Sequence, residues 1–309
     1  MKKIYLILFL ITFGFNLAYA DKDITNLKWK PSVYKGKVGK SYEIVKAEKG
    51  EPTIGKKAFK FIAIPFDCGS EGAWYSDCGN SYTSKYDTNK KIGGGDRVRS
   101  ELTSGWNKAT RFNKGKFWVS FSIYIPKDYQ TISPTVTSMF QIFESGKGPN
   151  LKIEDHYGWL TGTIKVKGKE VKLFKDYDKN FSQSDVTYSD ETGKPKLIKI
   201  EDMRGKWTNF KIHTRASNKK DKGFYKFYVN EILVAEYKGR TSGTAAKGLG
   251  LKAGIYQTGI SRSLMLWEMP KKWEPRQDPG KFPTQIIYMD NIFKAKKEEK
   301  LIKLIKKAK

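Results

Sequence analysis

Three short segments carry the side chains best suited to hold an acidic sugar and move protons on it. They are Arg97-Val98-Arg99-Ser100-Glu101-Leu102, Gln141-Ile142-Phe143 and Lys252-Ala253-Gly254-Ile255-Tyr256-Gln257. In a β-strand, alternate side chains leave opposite faces. Read as strands, the first sets Arg97, Arg99 and Glu101 against Val98 and Leu102. The third sets Lys252 and Tyr256 against Leu251, Ala253 and Ile255. Strands that are apolar on one side and carry Arg, Gln, Lys and Tyr on the other form the floor of a groove. That chemistry suits an acidic sugar chain.

Cleaving a uronic-acid polymer by β-elimination sets definite demands. The sugar carboxylate must be neutralised so that the charge developing as the weakly acidic C5 proton leaves is stabilised. A base then takes that proton, and an acid protonates the departing glycosidic oxygen. Arg, Gln or Asn serve the first role and His or Tyr the others. A Tyr beside Arg or Lys has its phenolate favoured. Neither a metal nor a cofactor is required, and none is expected. Arg99, Gln141, Lys252 and Tyr256 are the right types. Each alone has a plainer account: an Arg99–Glu101 ion pair stiffening a sheet, a solvent-facing Gln141, an amphipathic Tyr256 at a strand end. Their conjunction is what points to chemistry.

The elements that must position them read as β. Phe117, Val119, Phe121, Ile123 and Ile125 alternate with Trp118, Ser120, Ser122 and Tyr124 before Pro126 stops the run. Further strands are expected over Met139–Glu144, Thr208–Arg215, Leu249–Gln257 and Gln285–Phe293. Phe224–Val229 and Ile232–Tyr237 read as a hairpin about Asn230-Glu231. Many short strands with Gly and Asn/Asp turns indicate an all-β antiparallel sandwich or jelly roll. Residues 145–205 are polar and read as long loops with short strands. The tail 294–309 is Lys-rich, with Leu301, Ile302, Leu304 and Ile305 at helical spacing. It reads either as a basic amphipathic helix resting on a membrane or polyanion, or as a frayed, solvated terminus.

Composition narrows the class. Met1-Lys2-Lys3, the apolar run Ile4–Leu17 and Ala18-Tyr19-Ala20 read as a secretory signal peptide over residues 1–20. A secreted or periplasmic protein beginning at Asp21 is expected. No later run is long and apolar enough to span a bilayer. Cys68 and Cys78 are the only cysteines, and in an oxidising compartment they would close one local disulfide. With only His156 and His213 besides, a metal site is not expected. The formal charge of +27, two of it from Lys2 and Lys3, attracts polyanions. Charge alone fits nucleic acid as well, and no motif supports that partner. No linker or repeat divides residues 21–293, so one domain is expected, in a monomer.

At the three segments the sequence resembles the jelly-roll polysaccharide lyases, the group containing alginate, glucuronan and heparin-type lyases. Arg99-Ser100-Glu101-Leu102 is similar to their R-[ST]-E-L strand, Gln141-Ile142-Phe143 to Q-[IV]-H, and Lys252–Gln257 to K-A-G-[IV]-Y-x-Q, with the Gln here directly after the Tyr. The motifs occur in the family's order, and weaker likeness extends over residues 60–293. The resemblance implies a concanavalin A-like jelly roll of two antiparallel sheets and β-elimination on an anionic polysaccharide such as glucuronan, alginate or a heparin-like chain. By position, Arg99 and Gln141 would neutralise the carboxylate. Tyr256 would protonate the leaving oxygen and also abstract the C5 proton. Lys252 would bind the chain, and Arg97 and Glu101 would support Arg99. The Cys68–Cys78 loop leans toward the heparin/glucuronan branch.

Phe143 departs from the pattern, standing where the family has a His. Three accounts stay open. Tyr256 performs both proton transfers, or His156 or His213 reaches in, or the protein is a lectin-like jelly roll that binds without cleaving. A glycoside hydrolase needs two carboxylates at a set separation. No closely spaced E-x-D-x-E strand is present.

Overall fold

The alternation along Phe117–Ile125 builds one wall of the core. Phe117, Val119, Phe121, Ile123 and Ile125 are buried in the main hydrophobic cluster, while Trp118, Ser120 and Ser122 face the other way. A computed structural model of the chain describes residues 21–32, 42–64, 82–83, 91–92, 97–104, 115–132, 135–144, 148–166, 169–170, 175–176, 195–219, 221–242, 248–258 and 283–309.

Two sheets face each other. The first runs β1 (Lys30–Pro31), β6 (Arg97–Ser104), β17 (Leu249–Thr258), β8 (Val136–Glu144), β9 (Gly148–His156), β10 (Trp159–Val166) and β11 (Lys169–Glu170), with β13 (Lys196–Lys199) also paired to β10. The second runs β12 (Lys175–Asp176), β16 (Ile232–Gly239), β15 (Gly223–Val229), β14 (Trp207–Arg215), β7 (Lys116–Tyr124), β18 (Gln285–Ala295), β3 (Lys57–Ala63) and β2 (Tyr42–Lys46). A small ribbon joins β4 (Tyr82–Thr83) to β5 (Lys91–Ile92). Among the described residues every strand pairing is antiparallel, and neighbours far apart in sequence, such as β6, β17 and β8, make the chain cross between sheets. This is a jelly-roll β-sandwich.

The sheets meet through aromatic rings and one polar tie. Phe121 of β7 stacks on Phe140 of β8 with centroids 4.1 Å apart. The Ile62 backbone N–H donates to Ser100 Oγ at 3.0 Å, joining β3 to β6. The β15–β16 hairpin turns at Asn230 and Glu231, both at positive φ, as a two-residue hairpin turn requires.

Two regions differ from the sequence reading. Residues 148–166 are a long hairpin, not loops: Leu151, Ile153, Leu160 and Ile164 enter the core while the polar residues between them take the outer face. The tail is not a frayed terminus: it is helical, as one of the two readings had it, and its apolar face is turned onto the protein's own sheet. Residues Glu298–Ala308 form a helix, α1, that lays Leu301 and Ala308 on Trp118, Phe293 and Ala295 of the second sheet. Lys211 Nζ donates to Glu298 Oε1 at 2.7 Å beside it.

Candidate active site

The outer face of the first sheet gathers the residues singled out by type. Strand register decides who stands beside whom. Arg99 is opposite Tyr256, Glu101 opposite Gly254 and Thr103 opposite Lys252 across β6 and β17. Lys252 is in turn opposite Gln141, and Tyr256 opposite Ser138, across β17 and β8. Between them Gly254 takes φ +121°, and a Cβ there would lie 2.3 Å from the Ser100 carbonyl oxygen and 2.7 Å from the Phe61 ring. Only glycine fits, and the β-bulge between Ala253 and Tyr256 is seated on it.

Glu101 is the hub of this face. It is buried, with 3% of its surface exposed, and two donors and a guanidinium converge on it. Lys252 Nζ donates to Oε2 at 2.9 Å, Gln141 Nε2 donates to Oε1, and Arg99 Nη1 lies 3.6 Å from Oε2. Lys252 also donates to Ser32 Oγ at 3.0 Å. A buried carboxylate needs such compensation, and in return it fixes the position of each donor. The Arg99 guanidinium carbon sits 4.2 Å from the centroid of the Tyr256 ring. Tyr256 itself is 8% exposed.

A second cluster, missed in the sequence, adjoins the first. Lys152 Nζ donates to Glu154 Oε1 at 2.7 Å, the Ser138 hydroxyl donates to the same oxygen at 2.8 Å, and the Thr163 hydroxyl donates to Oε2 at 2.6 Å. Lys152 is opposite Gln141 across β8 and β9, and its Nζ lies 6.0 Å from the Tyr256 ring centroid. The signal was present: Leu151 and Ile153 alternate with Lys152 and Glu154 ahead of the turn-forming Tyr157-Gly158.

The histidines separate. His156 ends β9 on the same outer face as Lys152 and Glu154, its ring edge-on to Tyr157 at 4.6 Å. His213 does not join the site. It lies on β14 of the other sheet, stacked on Trp118 at 4.1 Å, with Phe210 and Ile212 of the same strand in the core. The core therefore stands between His213 and Tyr256. Burial, and then the Lys226 and Lys116 charges, hold its pKa below the ordinary value. Phe143 is buried with its ring against Gly250, where a Cβ would meet Phe143 Cζ at 2.4 Å. Lys252 Nζ lies 5.9 Å from that ring. The Arg97 side chain, Cys68 and Cys78 lie outside the described residues. Among the described residues no group of three or more His, Cys, Asp or Glu is placed to hold a metal ion, and no helix is long and apolar enough to cross a membrane.

Solved structures of similar architecture include an endo-β-1,4-glucuronan lyase from the fungus Trichoderma reesei, 11% identical over 85% of this chain and 92% of that one, at a TM-score of 0.47. Another is an alginate lyase from Pseudomonas aeruginosa, 14% identical over 87% of this chain and 96% of that one, at 0.42. A third, a cellulose-induced protein, is 10% identical over 87% and 92%, at 0.44. No curated protein matches the chain. The sequence model of the family described as polysaccharide lyase matches residues 55–293, well over half of the length, and the chain belongs to that family.

Proposed function

We propose that this protein is a secreted or periplasmic lyase that cleaves a uronic-acid-containing polysaccharide by β-elimination, with Tyr256 as the proton-transfer residue. The observation that carries the reading is the Arg99–Tyr256 contact at 4.2 Å, set beside the Glu101 hub. The Tyr256 phenolate takes the C5 proton, and the C5–H electrons form the C4=C5 double bond. The C4–O bond breaks, and the leaving oxygen takes the proton back from Tyr256. Arg99 stabilises the phenolate through its charge and draws the sugar carboxylate. An amide nitrogen carries two hydrogens, so Gln141 can hold Glu101 and the carboxylate together. Lys252 and Lys152 flank this point, and with Arg99 they set three cations against the carboxylates of Glu101 and Glu154, a balance that suits an anionic chain.

Phe143 supplies neither a base nor a charge, which is why both transfers fall to Tyr256. His156, on the same face, is the other group able to act as base, and His156→Ala separates the two. Phe143 is also the observation that favours a second reading, a lectin-like protein that binds such chains without cleaving them.

The test is incubation of residues 21–309 with glucuronan, alginate, heparin-type glycans and pectin. Ultraviolet absorbance of unsaturated ends is followed alongside the count of new reducing ends. Both rising on one polymer supports the lyase. Reducing ends without absorbance indicate hydrolysis, and binding with neither indicates the lectin-like reading.

A further inference from the structure

The polar outer face of the first sheet continues past the candidate catalytic residues. Arg99, Tyr256, Ser138, Glu154, Thr161 and Lys196 form one row across β6, β17, β8, β9, β10 and β13, each opposite the next. A parallel row ends in His156, Trp159 and Lys199. The β9–β10 hairpin turns through Tyr157 at φ +52° and Gly158 at φ +78°, which lifts Tyr157 into solvent at 44% exposure. Just behind that turn, two ammonium groups lie over the Trp159 ring. Lys196 Nζ lies 5.0 Å and Lys199 Nζ 5.5 Å from its centroid.

We propose that Trp159, Lys196 and Lys199 form a distal subsite for an acidic sugar residue of the same chain that reaches Tyr256. An indole offers a flat apolar surface of the kind on which the C–H face of a sugar ring rests. The two ammonium groups over the ring supply positive charge for a uronate carboxylate, a group that a neutral sugar lacks, so the pair selects acidic residues. Tyr256 on β17 and Trp159 on β10 are three strand positions apart and offset by two residues along the strand, ~16 Å at the usual strand spacings. That is the span of a short run of sugar rings. The subsite is continuous with the groove, shares its outer face and carries the complementary charge. Its consequence is chain-length preference: long polymers engage both ends of the groove, and the shortest cleavable chains only the catalytic end.

The proposal rests on the reading of the protein as a binder of acidic polysaccharide, and two measurements keep the two apart. The first compares Trp159→Ala, Trp159→Phe and Lys196→Gln/Lys199→Gln with wild type on long glucuronan and alginate and on the shortest chains cleaved. The expected result is KM raised roughly tenfold on long chains for Trp159→Ala and the double Lys variant. The kcat stays the same, short chains are cleaved as by wild type, and Trp159→Phe retains most of the affinity. Unchanged KM on long chains, or equal losses on long and short chains, would overturn the subsite. The second measures affinity for glucuronan, alginate and neutral dextran in the Tyr256→Phe background, where no cleavage intervenes. Weakened binding of an acidic polymer by Trp159→Ala supports the subsite even if wild type cleaves nothing, an outcome that sinks the lyase reading alone. Equal binding with and without Trp159, or binding to neither acidic polymer, removes the subsite.

Discussion

Arg99 and Tyr256 are direct partners across β6 and β17, and the guanidinium carbon stands 4.2 Å from the phenol ring centroid. A cation fixed over a ring orients it. The same Arg lies 3.6 Å from the buried Glu101 carboxylate, so its position is set from below before any substrate arrives. Arg99→Lys keeps the charge but loses the planar fork and the stacking. The account expects kcat to fall by about 10²-fold with a smaller change in KM, as for loss of one preorganised transition-state contact. Steady-state kinetics on the preferred polymer checks it.

Removing the charge of Glu101 strikes three partners together. Glu101→Gln takes the carboxylate away from the buried Lys252 and from the partly exposed Arg99, and loss of a buried cation's counter-charge costs about 3–5 kcal/mol. Chemical denaturation should show that drop, and kcat should fall with it. A loss below about 1 kcal/mol would show that Glu101 is not the hub of the face.

Gly254→Ala must push a Cβ against the Ser100 carbonyl, 2.3 Å away, from a backbone at φ +121°. The strain and overpacking together are expected to destabilise the fold by about 2–5 kcal/mol. Because Tyr256 follows two residues later, activity measured well below the new melting temperature should also decline.

Asp155 gives the fold a pH signature. It faces inward from β9, accepts from the Tyr129 hydroxyl at 3.0 Å and the Thr131 hydroxyl at 2.9 Å, and is pushed by burial up to about 6. A carboxyl whose folded pKa exceeds its unfolded value holds its proton more tightly in the folded state. Its ionisation therefore penalises folding above pH ~6, and the penalty disappears as pH falls toward ~4. Asp155→Asn removes the ionisation. The stability difference between variant and wild type should move in the variant's favour between pH 4.5 and pH 8, by about 2–3 kcal/mol at most. Asp290, also raised to about 6 by burial, is common to both proteins and cancels. A difference independent of pH would contradict the assignment.

Helix α1 docks on the sheet remote from the groove, so its contribution should be to stability alone. Leu301 is fully buried there. Leu301→Ala is expected to cost about 2–5 kcal/mol in denaturation while leaving kcat and KM unchanged at low temperature. A change in turnover would tie the helix to the site.

Much of the fold and part of the site were legible from residue alternation. The strand at Phe117–Ile125 and the Asn230-Glu231 hairpin follow from period-two patterning and turn chemistry, which are local properties. The joining of Arg99, Gln141, Lys252 and Tyr256 was readable because each strand carried its polar residues on one face. What stayed hidden depends on non-local pairing. The β9–β10 hairpin reads as polar loop because half of its residues lie on the polar outer face, so Lys152 and Glu154 escaped notice. His213 looked eligible because nothing in its own strand tells which sheet that strand joins. The tail's apolar spacing was visible, but its docking surface of Trp118, Phe293 and Ala295 comes from distant strands.

The central claim is that Tyr256 moves the proton on a uronic-acid chain. The direct test measures, for wild type and Tyr256→Phe on the same polymer, both the absorbance of unsaturated ends and the binding affinity. The account predicts turnover in wild type, loss of turnover by 10³-fold or more in the variant (roughly the loss of an acid–base group), and affinity within about threefold. Undiminished absorbance from Tyr256→Phe would contradict it and return the proton transfer to another residue, with His156 the first to examine.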